Sequence, residues 1–186
     1  SRARCAGQLL ALACLCGYAE EDNMKGREVL PAHAPVPNRA LLRADLEATR
    51  AAFHRQAEAA AGPRWRMSSP TCDWTAGEVL VHLVWALEQL PKEVEQARQG
   101  KGMFNLPKWF ADPASYWMIR WQARSTDLAT LCRRYDRAMD AVLAALDTVP
   151  DSDWGLGARF YGEGYYTVAD LFATPADHLI EHLGPA

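Results

Sequence analysis

Apolar positions recur at spacings of three and four in four stretches of the chain, with polar positions between them. The first follows the proline-rich stretch 31–38, with Asn38 as a helix cap. Leu42, Leu46, Thr49 and Phe53 share one face over about residues 39–61, and Gly62-Pro63 stops the pattern. The second opens at Thr75, where Thr75-Ala76-Gly77-Glu78 matches a capping box. Leu80, Leu83, Leu87, Leu90 and Val94 follow, and the pattern fades by Gly100. Pro91 inside this run predicts a kink, because proline lacks the amide donor and clashes with the preceding turn.

Asp112-Pro113 predicts the start of a short helix carrying Tyr116, Trp117 and Trp121. Ser125-Thr126 is the expected cap of a third long helix, whose stripe includes Leu128, Leu131, Cys132, Tyr135, Met139, Val142, Leu143 and Leu146. Pro150 ends it. Residues 151–166 place Trp154, Phe160, Tyr161, Tyr165 and Tyr166 among glycines and predict an aromatic loop; no strand pattern competes anywhere. The fourth long helix begins near Thr167 with a capping-box variant that uses Asp170, and Gly184-Pro185 closes it. Pro175 is expected to kink this helix or to restart it with Thr174 as cap. The implied fold is all-α: a four-helix bundle over residues 38–186, with an additional short helix before helix three. Residues 1–37 form an N-terminal extension and proline-rich linker.

Composition narrows the partners. The 186 residues suit one domain, with 49% apolar and 23% charged residues. A net charge of -3 gives no electrostatic basis for nucleic-acid binding. The apolar run Leu9–Cys16 is far short of a bilayer span, so no membrane partner is expected. Ser1-Arg2-Ala3-Arg4 followed by that run resembles a secretory leader with Gly17-Tyr18-Ala19 as its cleavage site, whereas Met24 offers an alternative start. Five cysteines, three of them crowded at Cys5, Cys14 and Cys16, do not form a disulfide framework and point to a reducing cytoplasm. Seven tryptophans imply thick packing or an aromatic-lined cavity.

Histidine placement carries the chemistry. His178 and His182 stand four apart on one helix face, and His82 lies in the second helix. Two imidazoles one turn apart can share a divalent ion, and three protein ligands leave a position open for chemistry. Spacing alone also allows a polar helix end for the pair and a satisfied core histidine for His82. Glu78, one turn before His82, can ligate, serve as a base or simply close the capping box. Leu179 stands where a zinc protease needs glutamate, which argues against that class. Cys72 precedes a helix N-terminus, where a thiol can be acidified, and Cys132 falls on an apolar stripe. The glycine pairs around 155–164 lack the strand and lysine of a phosphate loop, but Arg159, Tyr161 and Tyr165 can line a substrate mouth. His54 and His33 are expected to lie outside the chemistry.

Taken in order, Trp74 to Leu83, then Tyr166-Thr167-Val168-Ala169-Asp170-Leu171-Phe172, then the terminal His-x-x-x-His resemble the DinB-like superfamily over about residues 38–184. That group includes mycothiol-dependent maleylpyruvate isomerases and bacillithiol transferases. The resemblance implies a bundle with an unusual connection order and one divalent metal (zinc, nickel or iron) on His82, His178 and His182. It further implies a low-molecular-weight thiol cofactor, a small-molecule substrate and a homodimer. Pro175, just before the ligand pair, departs from the expected pattern and is expected to loosen the site. The expected activity is a thiol-dependent transferase acting on small electrophiles. A metal-dependent hydrolase and a non-catalytic small-molecule-binding module are the alternatives.

Overall fold

Side-chain caps fix where most of the helices begin. In the computed structural model, which describes residues 36–69, 72–105, 108–160 and 164–184 (side chains of 108–112 excepted), α1 spans Arg39–Ala59. The Asn38 carboxamide accepts from the amides of Ala40 and Leu41. A 3-10 turn at Gly62–Arg66 follows, and α2 spans Ala76–Arg98. Its capping box is complete: the Thr75 hydroxyl accepts from the Glu78 amide and the Glu78 carboxylate accepts from the Thr75 amide. Helix α3 covers Lys108–Ser125, α4 Leu128–Thr148 and α5 Val168–Leu183. The Thr167–Asp170 box opens α5 as the sequence predicts, and Gly184 at φ 79° closes it. No helix among the described residues is long and apolar enough to cross a membrane.

Both α1 and α2 pack on α4 and on α5, so the four long helices run α1–α4–α2–α5 around the bundle. Of the helices consecutive in the chain, α1 and α2, and α4 and α5, therefore sit on diagonals, while α2 packs directly on α4; α3 lies outside against α2. Phe53 of α1 stacks on Tyr135 of α4 with ring centroids 3.7 Å apart and planes 4° from parallel. Leu46, Leu80, Leu131, Met139, Leu146 and Leu171 fill the space around them.

The α1–α4 seam carries charge on its rim. Arg39 pairs with Asp151, Arg43 with Asp147, Arg50 with Asp140 and His54 with Asp136. Every step down α1 is matched by an equal step up α4 and its C-terminal end, which is the register of two antiparallel helices. Arg39 also donates to the carbonyls of Leu146 and Val149, and its guanidinium lies 4.9 Å from the centre of the Trp154 ring. One cation thus satisfies carbonyls that the C-terminus of α4 leaves open.

Three expectations need correction. The segment 151–166 is not all loop: β1 (Gly157–Phe160) and β2 (Gly164–Thr167) form an antiparallel hairpin, with Gly157 opposite Thr167 and Phe160 opposite Gly164. Four-residue strands are too short to show alternation, although Ala158 and Phe160 are buried while Arg159 is exposed. Helix α3 is neither short nor started by Asp112-Pro113; it begins at Lys108 and includes Pro113. Packing on α2 outweighs the single backbone bond that proline removes near the helix start. Ser125-Thr126 does not cap α4; Asp127 does, accepting from the Thr130 amide at 2.7 Å. The Ser125 hydroxyl instead donates back to Trp121 and Gln122. Pro91 and Pro175 both lie inside continuous helices, so Pro175 does not restart α5 with Thr174 as its cap. At Pro175 the repair is visible: the carbonyl of Leu171, deprived of an amide donor four residues on, accepts from the Thr174 hydroxyl at 2.7 Å.

Candidate metal centre

Unbroken α5 keeps His178 and His182 on one face, one turn apart, and the box at Thr167 sets the start of that phase. The α2 capping box does the same for His82, seven residues after its Thr75 cap. Because α2 and α5 are direct neighbours, the three rings meet. The Nε2 atoms of His82 and His178 are 3.0 Å apart, and one nitrogen from each of the three histidines lies within 4.8 Å of the others. All three residues are buried, at 0%, 5% and 4% exposure for His82, His178 and His182.

Trp74 walls the cluster. Its indole meets the His82 ring edge-on at 4.8 Å and lies nearly parallel to the His182 ring at 6.4 Å. In the sequence Trp74 served only as part of a helix-start motif. The structure makes it a contact of two of the three histidines, because it sits beside the Thr75 cap.

Electrostatics keep the rings neutral. Burial lowers His82 well below its ordinary value, and the neighbouring His178 and His182 lower it further. Burial, with His182 beside it, brings His178 down to about 3, and burial brings His182 down to about 4. Neutral imidazoles are the form that binds metal. Three neutral rings facing one another do not satisfy themselves well. Two of them can share one N–H···N bond, and the buried Nδ1 of His82 has no hydrogen-bond partner among the described residues. Nitrogens about 2.1 Å from one tetrahedral ion stand about 3.4 Å apart, a spacing that lies between the observed 3.0 Å and the 4.8 Å bound. The donor set therefore fits a divalent ion of the nitrogen-preferring kind.

Other candidates lie elsewhere. Glu78 does not join the cluster: Oε2 accepts from the Thr75 amide at 2.8 Å and Oε1 from Arg120 Nε at 3.0 Å. Arg120, which the sequence did not single out, also lies over the Tyr116 ring at 4.4 Å. Arg159 and Tyr165 face each other across the hairpin, exposed, and neither lines the cleft beside His178. Tyr161, His33, Cys5, Cys14 and Cys16 lie outside the described residues. Neither Cys72 nor Cys132 forms a disulfide among the described residues; both are half-buried against the core, and burial raises the Cys132 thiol. His54 pairs with Asp136 on the α1–α4 rim, away from the cluster. Of the seven tryptophans, Trp154 is core while Trp117 and Trp121 are 62% and 70% exposed, so they do not jointly line a cavity.

No curated protein and no solved structure matches the chain. A family model described as the DinB superfamily matches residues 45–186, a span holding all three histidines and every long helix, residues 39–44 of α1 excepted. The chain belongs to the DinB superfamily.

Proposed function

We propose that the protein is a divalent-metal-dependent enzyme that transfers a low-molecular-weight thiol to a small electrophile, with His82, His178 and His182 as the metal ligands. The supporting observation is the convergence of three buried, neutral imidazoles from two neighbouring helices. A divalent ion held there supplies the positive charge that makes a nearby thiol or water acidic near neutral pH. The chain's own residues do the rest. The two capped helices hold the imidazoles, so the centre forms without further ordering. Trp74 shields two of the rings and excludes water from that side.

The state of Glu78 favours thiol over water as the nucleophile. A hydrolytic centre profits from a free carboxylate to take the proton of water. The nearest acid on the ligand face of α2 has both oxygens engaged, one by the helix cap and one by Arg120. A thiol, already far more acidic than water, has less need of such a base.

The test begins with metal analysis of the untagged protein after supplementation with zinc, nickel and iron. About one equivalent is expected, falling below about 0.1 in His178→Ala. Electrophiles are then screened with and without mycothiol, bacillithiol or glutathione. Turnover that persists without any thiol overturns the transferase reading in favour of hydrolysis. Ligand binding that survives loss of all three histidines overturns both in favour of a binding module.

A further inference from the structure

Helix α3 is linked to the histidine cluster through a chain of three contacts. In the first, Arg120 of α3 donates from Nε to Oε1 of Glu78 at 3.0 Å. In the second, Oε2 of the same carboxylate accepts from the Thr75 amide at 2.8 Å. That amide is one half of the Trp74–Thr75 peptide group. The other half, the Trp74 carbonyl, accepts from the Ser69 amide at 2.7 Å. A peptide group is planar, so holding both of its polar atoms constrains the direction in which the Trp74 side chain leaves the backbone. The third contact is the indole itself, whose ring centre lies 4.8 Å from that of His82 and 6.4 Å from that of His182.

The second link depends on the first. Glu78 is only 8% exposed. A carboxylate at that depth is stable when its partners offset the water it has lost. Arg120 is the cationic partner, and it is itself held in place. Its guanidinium lies 4.4 Å from the centre of the Tyr116 ring, one turn back on α3, and the neighbouring Ile119 is fully buried in the core. Without Arg120, the Glu78 carboxylate keeps only the helix-cap bond among the described residues, and turning out to water becomes its lower-energy course. The Trp74–Thr75 peptide then loses one of its two holds. A second bridge offers a comparison: Arg134 of α4 bonds Glu88 of α2 and Gln122 of α3. Glu88 lies beyond His82, toward the other end of α2, so this bridge has no such path to Trp74.

We propose that Arg120 is a positioning residue for the histidine cluster. Through Glu78 and the Trp74–Thr75 peptide it seats the Trp74 indole against His82 and His182. Helix α3 thereby governs how closed the cluster is on that side. The seating of Trp74 stands on these contacts alone; its role in guarding a bound ion rests on the metal-centre reading.

Both parts are tested on the full chain. The metal-free protein is labelled with 5-fluorotryptophan, and the Trp74 resonance is identified as the fluorine signal lost in Trp74→Phe. Arg120→Gln and Glu78→Gln should each shift that resonance in the same direction, and the double variant should shift it no further. Arg120→Lys keeps the charge and should restore much of the wild-type position. Arg134→Gln breaks the comparison bridge and should leave Trp74 where it is. Glu78→Gln carries this arm alone if Arg120→Gln does not fold. A Trp74 resonance unmoved by loss of the Arg120–Glu78 pair overturns the proposal. An equal shift in Arg134→Gln also overturns it, since the signal would then report general loosening. In the second arm, zinc-loaded protein is mixed with excess EDTA and metal release is timed. Arg120→Gln should release zinc about tenfold faster, the factor expected for one charge-assisted hydrogen bond. Release within about twofold of wild type, with Trp74 displaced, supports the seating and overturns the guarding role. Wild-type protein that takes up no zinc overturns the metal-centre reading and leaves the fluorine result standing.

Discussion

Thr174 and Pro175 should be energetically coupled, and the coupling can be measured. Pro175 cannot donate to the Leu171 carbonyl, and Leu171 is only 1% exposed, so no bulk water can take the place of the missing amide. The Thr174 hydroxyl supplies that donor at 2.7 Å. Thr174→Val replaces the hydroxyl with a methyl group of similar size and leaves a buried acceptor unmatched, which costs about 1–3 kcal/mol. In a Pro175→Ala background the restored backbone amide can donate to the same carbonyl, so Thr174→Val should cost only a few tenths of a kcal/mol there. The four-protein cycle should therefore give a coupling of at least about 1 kcal/mol. Urea unfolding followed by circular dichroism measures it. With a slope of about 1–3 kcal/mol per molar, the Thr174→Val midpoint should fall by roughly 0.5–1 M in the proline background. Additive effects, to within about 0.3 kcal/mol, would refute the repair argument and leave the Thr174 contact as an incidental feature of α5.

Three further outcomes are expected. The metal-free protein should lose stability as pH falls from about 6.5 toward 4. His178 and His182 have folded values of about 3 and 4 against 6.5 unfolded, so the unfolded chain binds more protons across that window. The slope should approach about 1.4 kcal/mol per pH unit for each of these histidines, with stability complete above about pH 7, and His178→Gln should reduce it. Gly77→Ala should cost about 1–3 kcal/mol and red-shift tryptophan emission, because a Cβ there would collide with the Trp65 indole packed on the first turn of α2. Glu78→Gln should weaken the bond to Arg120 and lower the urea midpoint while leaving metal stoichiometry at wild-type level; loss of the metal would mean that Glu78 does more than hold the helix start.

Much of this architecture is written in local signals. The caps at Asn38, Thr75 and Thr167 begin α1, α2 and α5 where the spacing of leucines says they should. The i, i+4 histidine pair and the phase of His82 could be read the same way, since each depends on a single helix. That α2 and α5 are neighbours is a tertiary fact, and here only the family resemblance anticipated it. The hairpin was hidden because its strands are four residues long and rich in glycine and tyrosine. The interior prolines pose a different problem. A proline states the loss of a donor but not its replacement, and the Thr174 hydroxyl could be recognised as that replacement only once its rotamer was known. Arg120 escaped notice because its partner lies 42 positions away on another helix.

The ion pairs along the α1–α4 seam have unequal spacing, and this makes them a vernier. Successive basic residues on α1 are separated by four, seven and four residues, and their acidic partners on α4 and just past its end mirror those intervals. A slide by one turn in either direction would keep at most two of the four matches, and in one direction it would set Glu47 against Asp147. Each pair alone contributes little at a solvated surface. Their joint irregularity still marks one alignment against its nearest competitors, and mis-set alignments of the same apolar stripes would leave the histidines on α2 and α5 without a common meeting point.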